Sequence, residues 1–318
     1  MVRRGRLLAL SAAFALTAGL AAAEPAQLPP LPPPPSDLSK IPWFQEGQTV
    51  WIDIPAGRLK TRVYQSARLS EHPVLVVLVH GDIPNPWQGL YEFAQAITHV
   101  ADNVVAAGVL RPGYQDVQGD RSSGKIGHAI GDNYTPEVVD DVDAAIRQLK
   151  AKYHAGRVVL IGHSGGGAIS ANVIGRHPGD VDAALLLACG CDPKEFMTRF
   201  TREHPGIPKN LPNPSLLPIE LAPNVPRRMH VRLVTGDKDD VVRLPASRAY
   251  AQALASRGVD VKLVIAPGAG HNDIFRAPET RAALTQLLTL EGATMLPPAA
   301  PQPGPPTNPW TSPPKRSP

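Results

Sequence analysis

The sequence lacks the residue patterns that most metal sites and nucleic-acid interfaces need. Cysteine occurs only twice in 318 residues, at Cys189 and Cys191, and no histidine lies near the pair at the spacing of a zinc site. An excess of one charge is also absent, because 29 basic residues face 28 acidic ones once residues 1–23 are set aside. We therefore expect no metal, no cofactor and no nucleic-acid partner.

The two cysteines are separated by Gly190 alone. A disulfide between them would close a very small ring, which predicts a strained and redox-labile bond. The alternative is a pair of small reduced side chains buried at the end of a strand. The sequence favours neither state over the other.

Residues 1–23 have the pattern of a cleavable secretory signal, in which a basic start precedes an apolar stretch and a small-residue cleavage site. The apolar stretch is short for a bilayer span, and no stop-transfer charges follow it. An uncleaved anchor is the alternative. We expect a periplasmic or secreted protein with no stable membrane span after removal of the signal.

Proline, by contrast, is abundant, with 36 residues. Residues 24–40 contain the run LPPLPPPP, which favours polyproline II and is typical of a stiff linker. Residues 293–318 have a similar composition, which predicts a disordered tail. One folded domain, residues 41–292, is expected between the two segments.

Within residues 41–292, apolar runs rich in β-branched residues alternate with helical patterns. Continuous runs such as VLVVLVH at 74–80 are typical of strands buried on both faces. The alternation predicts a mostly parallel sheet with helices on both faces. Residues 192–227 break the rhythm with many prolines, and we interpret them as a short cap or loop excursion over the sheet's carboxyl edge.

The strongest local signal is Gly-His-Ser-Gly-Gly at 162–166, directly after a predicted strand and directly before a predicted helix. Such a tight turn exposes the serine hydroxyl, and glycines are needed where backbones come too close for a Cβ atom. A serine hydroxyl becomes a useful nucleophile only when a base lies within hydrogen-bond distance. Ser164 is therefore the candidate nucleophile.

In this context the segment resembles the nucleophile elbow of the α/β-hydrolase family, and the resemblance implies that family's fold and a hydrolase activity. The run ending in His80-Gly81 resembles the strand that precedes the oxyanion hole of the family. The resemblance implies that the backbone N–H groups of Asp82 and Gly165 stabilise the oxyanion, with Ile83 as the alternative to Asp82.

Two later segments extend the resemblance. The turn GDKDDVV after the penultimate predicted strand implies Asp239 as the acid of a catalytic triad, although Asp237 and Asp240 are close enough to compete. The loop APGAGHNDIF after the last predicted strand implies His271 as the base. His128, in a glycine-rich loop, is the alternative base.

The resemblance implies a serine hydrolase that cleaves an ester or related acyl bond of a small molecule through an acyl-enzyme. The turn GDKDDVV is similar to the corresponding turn of dienelactone hydrolases and prolyl peptidases. The alternatives are a serine peptidase of the same fold and a non-catalytic binding protein that retains the fold.

The predicted walls of the substrate pocket are the 192–227 excursion and the loop between Leu110 and Thr135, because ligands bind at the carboxyl edge of open sheets. This loop contains Arg111 and Arg121. Either arginine is a candidate to contact a polar or anionic substrate group, but we favour an internal salt bridge by which Arg111 anchors the loop.

Overall fold

A computed structural model describes residues 47–82, 88–127, 131–206 and 213–297. All of them fall within the second of two compact units, Leu38–Pro318. The predicted signal, the linker at 24–40 and most of the predicted 293–318 tail lie outside the described residues. No helix among the described residues is long and apolar enough to cross a bilayer.

The described chain contains ten strands and seven α-helices. The strands are β1 Gln48–Ile54, β2 Gly57–Gln65, β3 Val74–Val79, β4 Ala101–Asp102, β5 Val104–Val109, β6 Arg157–His163, β7 Ala183–Leu187, β8 His230–Gly236, β9 Asp260–Ala266 and β10 Thr294–Met295. The helices are α1 Gln88–Val100, α2 Pro136–Lys152, α3 Gly165–Arg176, α4 Pro193–Glu203, α5 Pro218–Leu221, α6 Leu244–Ser256 and α7 Pro278–Leu290.

Eight strands form one sheet in the order β1-β2-β5-β3-β6-β7-β8-β9. The first three strands in this order pair antiparallel, and all pairs from β5 to β9 are parallel. The chain runs from β3 outward to β5 and then returns past β3 to β6, so the direction of winding reverses at β3. Ligands bind at the carboxyl ends of strands beside such a reversal.

The core lies on both faces of this sheet. Odd-numbered residues of β3 pack with α2, α3 and α6, whereas its even-numbered residues pack with α1 and α7. Successive side chains of a strand point to opposite faces, and both faces here are covered, so every residue of β3 is buried and apolar. The predicted mostly parallel sheet with helices on both faces is confirmed.

The 192–227 excursion is more regular than its sequence indicates. It contains α4, α5 and a 3-10 turn at Ala222–Asn224, and residues 207–212 lie outside the described chain. The α4 helix begins with a strong N-terminal signal, because the Asp192 carboxylate accepts a hydrogen bond from the Glu195 N–H at 2.8 Å and Pro193 occupies the first turn. The density of prolines that follow it conceals this helix in the sequence.

The loop after β5 is anchored to the sheet by Lys60, a fully buried residue of β2. The Lys60 ammonium donates to the carboxylates of Asp116 and Asp120. The Ser122 hydroxyl accepts a hydrogen bond from the Lys60 backbone N–H at 2.9 Å and donates one to the Leu110 carbonyl at 2.7 Å. This loop is therefore part of the folded core rather than an appendage.

Two further features differ from the sequence-based expectation or settle an open alternative. The short strand β10 pairs with β4, so regular structure continues past the predicted domain end at residue 292. Cys189 and Cys191 form a disulfide at the carboxyl end of β7, and both residues are buried. Of the two states that the sequence left open, the oxidised one is present.

Candidate active site

Ser164 lies at the sharp turn between β6 and α3. Its backbone has φ 54° and ψ −121°, a strained conformation for a residue with a side chain. The turn leaves no room on its inner side, because a Cβ on Gly162 would lie 2.3 Å from the Gly166 carbonyl oxygen and one on Gly166 would lie 2.2 Å from that of Val79. The glycines thus allow the bend that exposes the serine.

The structure brings Ser164, His271 and Asp239 together from three separate loops. The Ser164 Oγ lies 2.9 Å from the Nε2 of His271. The Nδ1 of the same ring lies 2.9 Å and 3.1 Å from the two carboxylate oxygens of Asp239. With Nδ1 protonated, the ring donates to Asp239 and accepts from the serine hydroxyl, the arrangement that removes the serine proton.

The structure distinguishes the three neighbouring aspartates after β8. The side chain of Asp239 is fully buried, and its Oδ1 accepts hydrogen bonds from the backbone N–H groups of Val241 and Val242. Asp237 instead accepts from the Gly268 N–H, and Asp240 is exposed. Of the three, only Asp239 contacts His271 among the described residues.

The two residues that are predicted to supply the oxyanion donors, Asp82 and Gly165, lie close to each other near the serine. A Cβ placed on Gly81 would lie 2.9 Å from the Cβ of Ser164, so the backbone leading to Asp82 passes directly over the elbow. A Cβ on Gly165 would lie 2.5 Å from a carboxylate oxygen of Asp82. The alternative donor, Ile83, lies outside the described residues.

The carboxylate of Asp82 has a role that the sequence did not reveal. It accepts hydrogen bonds from the Arg111 guanidinium at 2.7 Å, from the Tyr134 hydroxyl at 2.6 Å and from the Gly131 N–H at 2.9 Å. Burial opposes ionisation, but Arg111 and the two other donors hold the pKa of this carboxyl below its ordinary value. In the sequence, Asp82 is indicated only by the resemblance to the α/β-hydrolase family, and that resemblance concerns its backbone N–H rather than its carboxylate.

Arg111 holds both residues that flank Gly81. Besides its ion pair with Asp82, its guanidinium donates to the His80 carbonyl at 3.3 Å, and its backbone N–H donates to the His80 Nε2 at 3.0 Å. Arg111 is fully buried, as expected of an internal salt bridge. Arg121 also bonds within its loop, to Gly113 and Gln115.

Two further histidines, His80 and His163, lie beneath the site. The Nε2 of His163 lies 3.0 Å from the His271 carbonyl and supports the loop that carries His271. Burial, reinforced by neighbouring charge, lowers the pKa of each ring to about 3. Both are therefore neutral near pH 7. The alternative base, His128, lies outside the described residues.

Two spaces of unequal size lie near Ser164. A narrow space of about 20 Å³, which Ser164 itself lines, lies between Tyr134, Gly190, α4 and the residues after Asp239. A cavity of about 370 Å³, lined by the neighbouring Gly81 and His163, lies between α1 and the residues that follow His271. We call these the narrow side and the wide cavity. The wide cavity is lined by His80, Gly81, Gly89, Leu90, Glu92, Phe93, Ala96, His163, Asn272, Asp273, Phe275 and Arg276.

One cluster in the described chain has side chains of the kind that bind metals. Asp143, His177 and Asp180 bring three possible ligand atoms within 4.8 Å of one another. Arg147 forms ion pairs with both aspartates, so a positive charge already lies at this position. The cluster comprises residues of α2 and of the segment after α3, and it includes none of the residues around Ser164.

The sheet order and the strand–turn–helix at Ser164 define an α/β hydrolase. Est1E from Butyrivibrio proteoclasticus, solved with ferulic acid, has a TM-score of 0.59 and 17% identity, over 76% of this chain and 98% of that chain. A putative dienelactone hydrolase from Klebsiella pneumoniae has a TM-score of 0.57 and 14% identity, over 77% and 97%.

A peptidase has the same likeness over a smaller share of its length. The acylaminoacyl peptidase of Pyrococcus horikoshii has a TM-score of 0.57 and 16% identity, over 76% of this chain and 40% of that chain. At these identities the likeness establishes the fold alone. The model of the prolyl oligopeptidase family matches residues 115–289, and the chain belongs to that family of hydrolases.

Proposed function

We propose that the protein is a serine esterase that uses Ser164, His271 and Asp239 as its catalytic triad. The observation that carries the proposal is the continuous contact from the serine oxygen through both ring nitrogens to a buried carboxylate, with each separation at 2.9–3.1 Å. These distances are short enough for direct proton transfer without movement of the backbone.

The reaction begins when the Ser164 oxygen attacks the ester carbonyl. A bond forms between Oγ and the carbonyl carbon, the hydroxyl proton moves to His271 Nε2, and the carbonyl electron pair moves onto its oxygen. The N–H groups of Asp82 and Gly165 stabilise this oxyanion, and each such donor contributes about 3–4 kcal/mol to the barrier reduction. Asp239 stabilises the imidazolium.

The tetrahedral intermediate collapses when the bond to the leaving oxygen breaks. His271 Nε2 gives its proton to that oxygen, so a neutral alcohol departs and an acyl-Ser164 ester remains. Water then attacks the acyl carbon while His271 Nε2 accepts its proton. The bond between that carbon and the Ser164 oxygen breaks, His271 returns the proton to the serine oxygen, and the carboxylic acid product leaves the restored serine.

Two observations favour an ester over a peptide bond. A peptide places a residue with its own backbone amide on the acyl side, and the narrow side offers only about 20 Å³. The likeness to Est1E and to the putative dienelactone hydrolase covers almost the whole of each chain, whereas the likeness to the acylaminoacyl peptidase covers 40% of that protein. The second candidate, a serine peptidase, is favoured by the family itself.

Labelling by a fluorophosphonate probe tests the nucleophile. We expect covalent labelling of the wild type, no labelling of Ser164→Ala and a fall in kcat of at least about 10⁴-fold. The control is Ser256→Ala, which removes an exposed hydroxyl from α6 and leaves labelling intact. Labelling that persists in Ser164→Ala contradicts the proposal. Faster cleavage of aminoacyl p-nitroanilides than of p-nitrophenyl acetate would assign the peptidase instead.

A further inference from the structure

We propose that the wide cavity binds the leaving group of the substrate, an uncharged or cationic alcohol of aromatic size, and that the acyl group is short. This inference rests on the proposed esterase function and adds the substrate class. It follows from the position of the cavity relative to His271, from the chemistry of its walls and from the contrast with the narrow side.

The position of the cavity assigns it to the leaving group. Asn272 and Asp273, which line it, directly follow His271, the residue that protonates the leaving oxygen. His163 also lines it, and its ring centroid lies 4.9 Å from that of His271. One end of the wide cavity therefore lies beside His271. Gly81, which lines the cavity, also contacts Ser164.

The walls of the cavity suit an aromatic ring. Phe93 and Phe275 lie edge to face with ring centroids 5.3 Å apart, and Leu90 and Ala96 add apolar surface from α1. A volume of about 370 Å³ lies within the range of small-molecule sites. His163 is buried and neutral near pH 7, so its imidazole places no positive charge at the end of the wide cavity that lies nearest His271.

The polar groups of the cavity disfavour an anion. Glu92 and Asp273 contribute two carboxylates, and Arg276 contributes one guanidinium. An anionic leaving group would therefore meet a net negative surface, whereas a neutral ring or a cation meets no such repulsion. The narrow side, which Phe196 lines together with Gly165 and Gly190, has a volume of only about 20 Å³, and we therefore expect an acyl group about as short as acetyl.

The test compares leaving groups with the acyl group held constant. Ala96→Phe places a ring in the cavity, and Ala255→Phe adds the same ring at an exposed position of α6 as a control. For Ala96→Phe we expect kcat/KM to fall at least about ten-fold with 2-naphthyl acetate and less than about two-fold with ethyl acetate. The control changes neither value.

If Ala96→Phe folds poorly, the smaller change Ala96→Leu replaces it. Each variant is judged on the ratio of its kcat/KM for 2-naphthyl acetate to its kcat/KM for ethyl acetate, which does not depend on the amount of folded enzyme. An unchanged ratio in a folded variant overturns the inference. Fluorophosphonate labelling separates the two proposals. If the variants are labelled but the ratio of kcat/KM between the two esters does not change, only the leaving-group site is refuted. If folded wild type is not labelled, the proposed esterase function is refuted.

The charge preference has its own comparison. Wild type is expected to cleave phenyl acetate and 3-(trimethylammonio)phenyl acetate with a higher kcat/KM than the anionic ester 4-acetoxybenzoate. Glu92→Gln is expected to reduce this ratio of kcat/KM values by a few-fold, because it removes one negative charge from the cavity. A preference for the anionic ester, or a ratio that Glu92→Gln does not alter, overturns the assignment of the cavity to neutral or cationic groups.

Discussion

The narrow side and the wide cavity both lie near Ser164, the proposed nucleophile, but are built from different parts of the chain. The narrow side is formed by residues that follow strands, above all Tyr134 and the start of α4. The wide cavity lies between a helix packed on one face of the sheet and the loop after β9. Because the two spaces share no lining residue, the proposal predicts that each half of the substrate is selected independently.

The largest expected effect is on the position of the proposed oxyanion donors, the backbone N–H groups of Asp82 and Gly165. Arg111→Met removes the guanidinium that holds Asp82 and His80, so we expect kcat to fall about 10²–10³-fold with little change in KM. Arg111→Lys should restore part of kcat, since an ammonium can still pair with Asp82. The measurement is steady-state kinetics on p-nitrophenyl acetate.

Arg121→Met is the matched control, because Arg121 bonds only within its own loop among the described residues. A folded Arg111→Met that raises KM and keeps kcat would show that Arg111 serves substrate binding rather than the position of the oxyanion donors.

A smaller effect is expected from opening the narrow side. Phe196→Ala should raise kcat/KM for p-nitrophenyl hexanoate relative to the acetate by about ten-fold, because the acyl chain gains the volume of the ring. Phe200→Ala is the control: that ring stacks on Phe196 at 5.6 Å but does not line the space. If both variants alter chain-length preference equally, the narrow side does not set the acyl length.

The smallest effect concerns stability and the histidines beside the wide cavity. His80 and His163 have pKa values of about 3 in the folded protein, against about 6.5 when unfolded. The unfolded chain therefore binds more protons between these values. Stability falls as the pH drops from about 6.5 toward 3, by about 1.4 kcal/mol per pH unit for each histidine.

Two carboxyls act in the opposite direction, because burial raises the pKa of Asp141 and of Asp143 to about 6 in the folded protein. Comparison of wild type with His163→Gln in urea at pH 7 and pH 5 cancels their contribution. The variant should lose less unfolding free energy than wild type on acidification. Equal losses would show that His163 is not the neutral buried group described here.

Much of the central fold and the residues of the candidate triad could be predicted because each strand and each candidate residue is marked by a short local pattern. A strand buried on both faces is a continuous apolar run, as in β3, and the elbow at Ser164 must carry glycines next to it. His271 and Asp239 each follow a recognisable strand. Position along the chain was sufficient for these elements.

What could not be predicted depends on contacts between distant segments. The Asp82 carboxylate gains its partners from residues 29 to 52 positions away, so no local pattern marks it. The wide cavity forms between α1 and the loop after β9, and its volume depends on how these two elements pack. Helix α4 was missed for a different reason, since the prolines after it outweighed its own N-terminal signal.

The ammonium of Lys60 has a consequence for any attempt to redesign substrate choice. The two carboxylates that neutralise it belong to the same loop that ends at Tyr134 in the narrow side, and the Tyr91 hydroxyl of α1 donates to one of them. Replacing this loop with one that lacks both carboxylates would leave a cation inside the protein without counter-charge, at a cost of several kcal/mol. A transplant must carry β2 and the loop together.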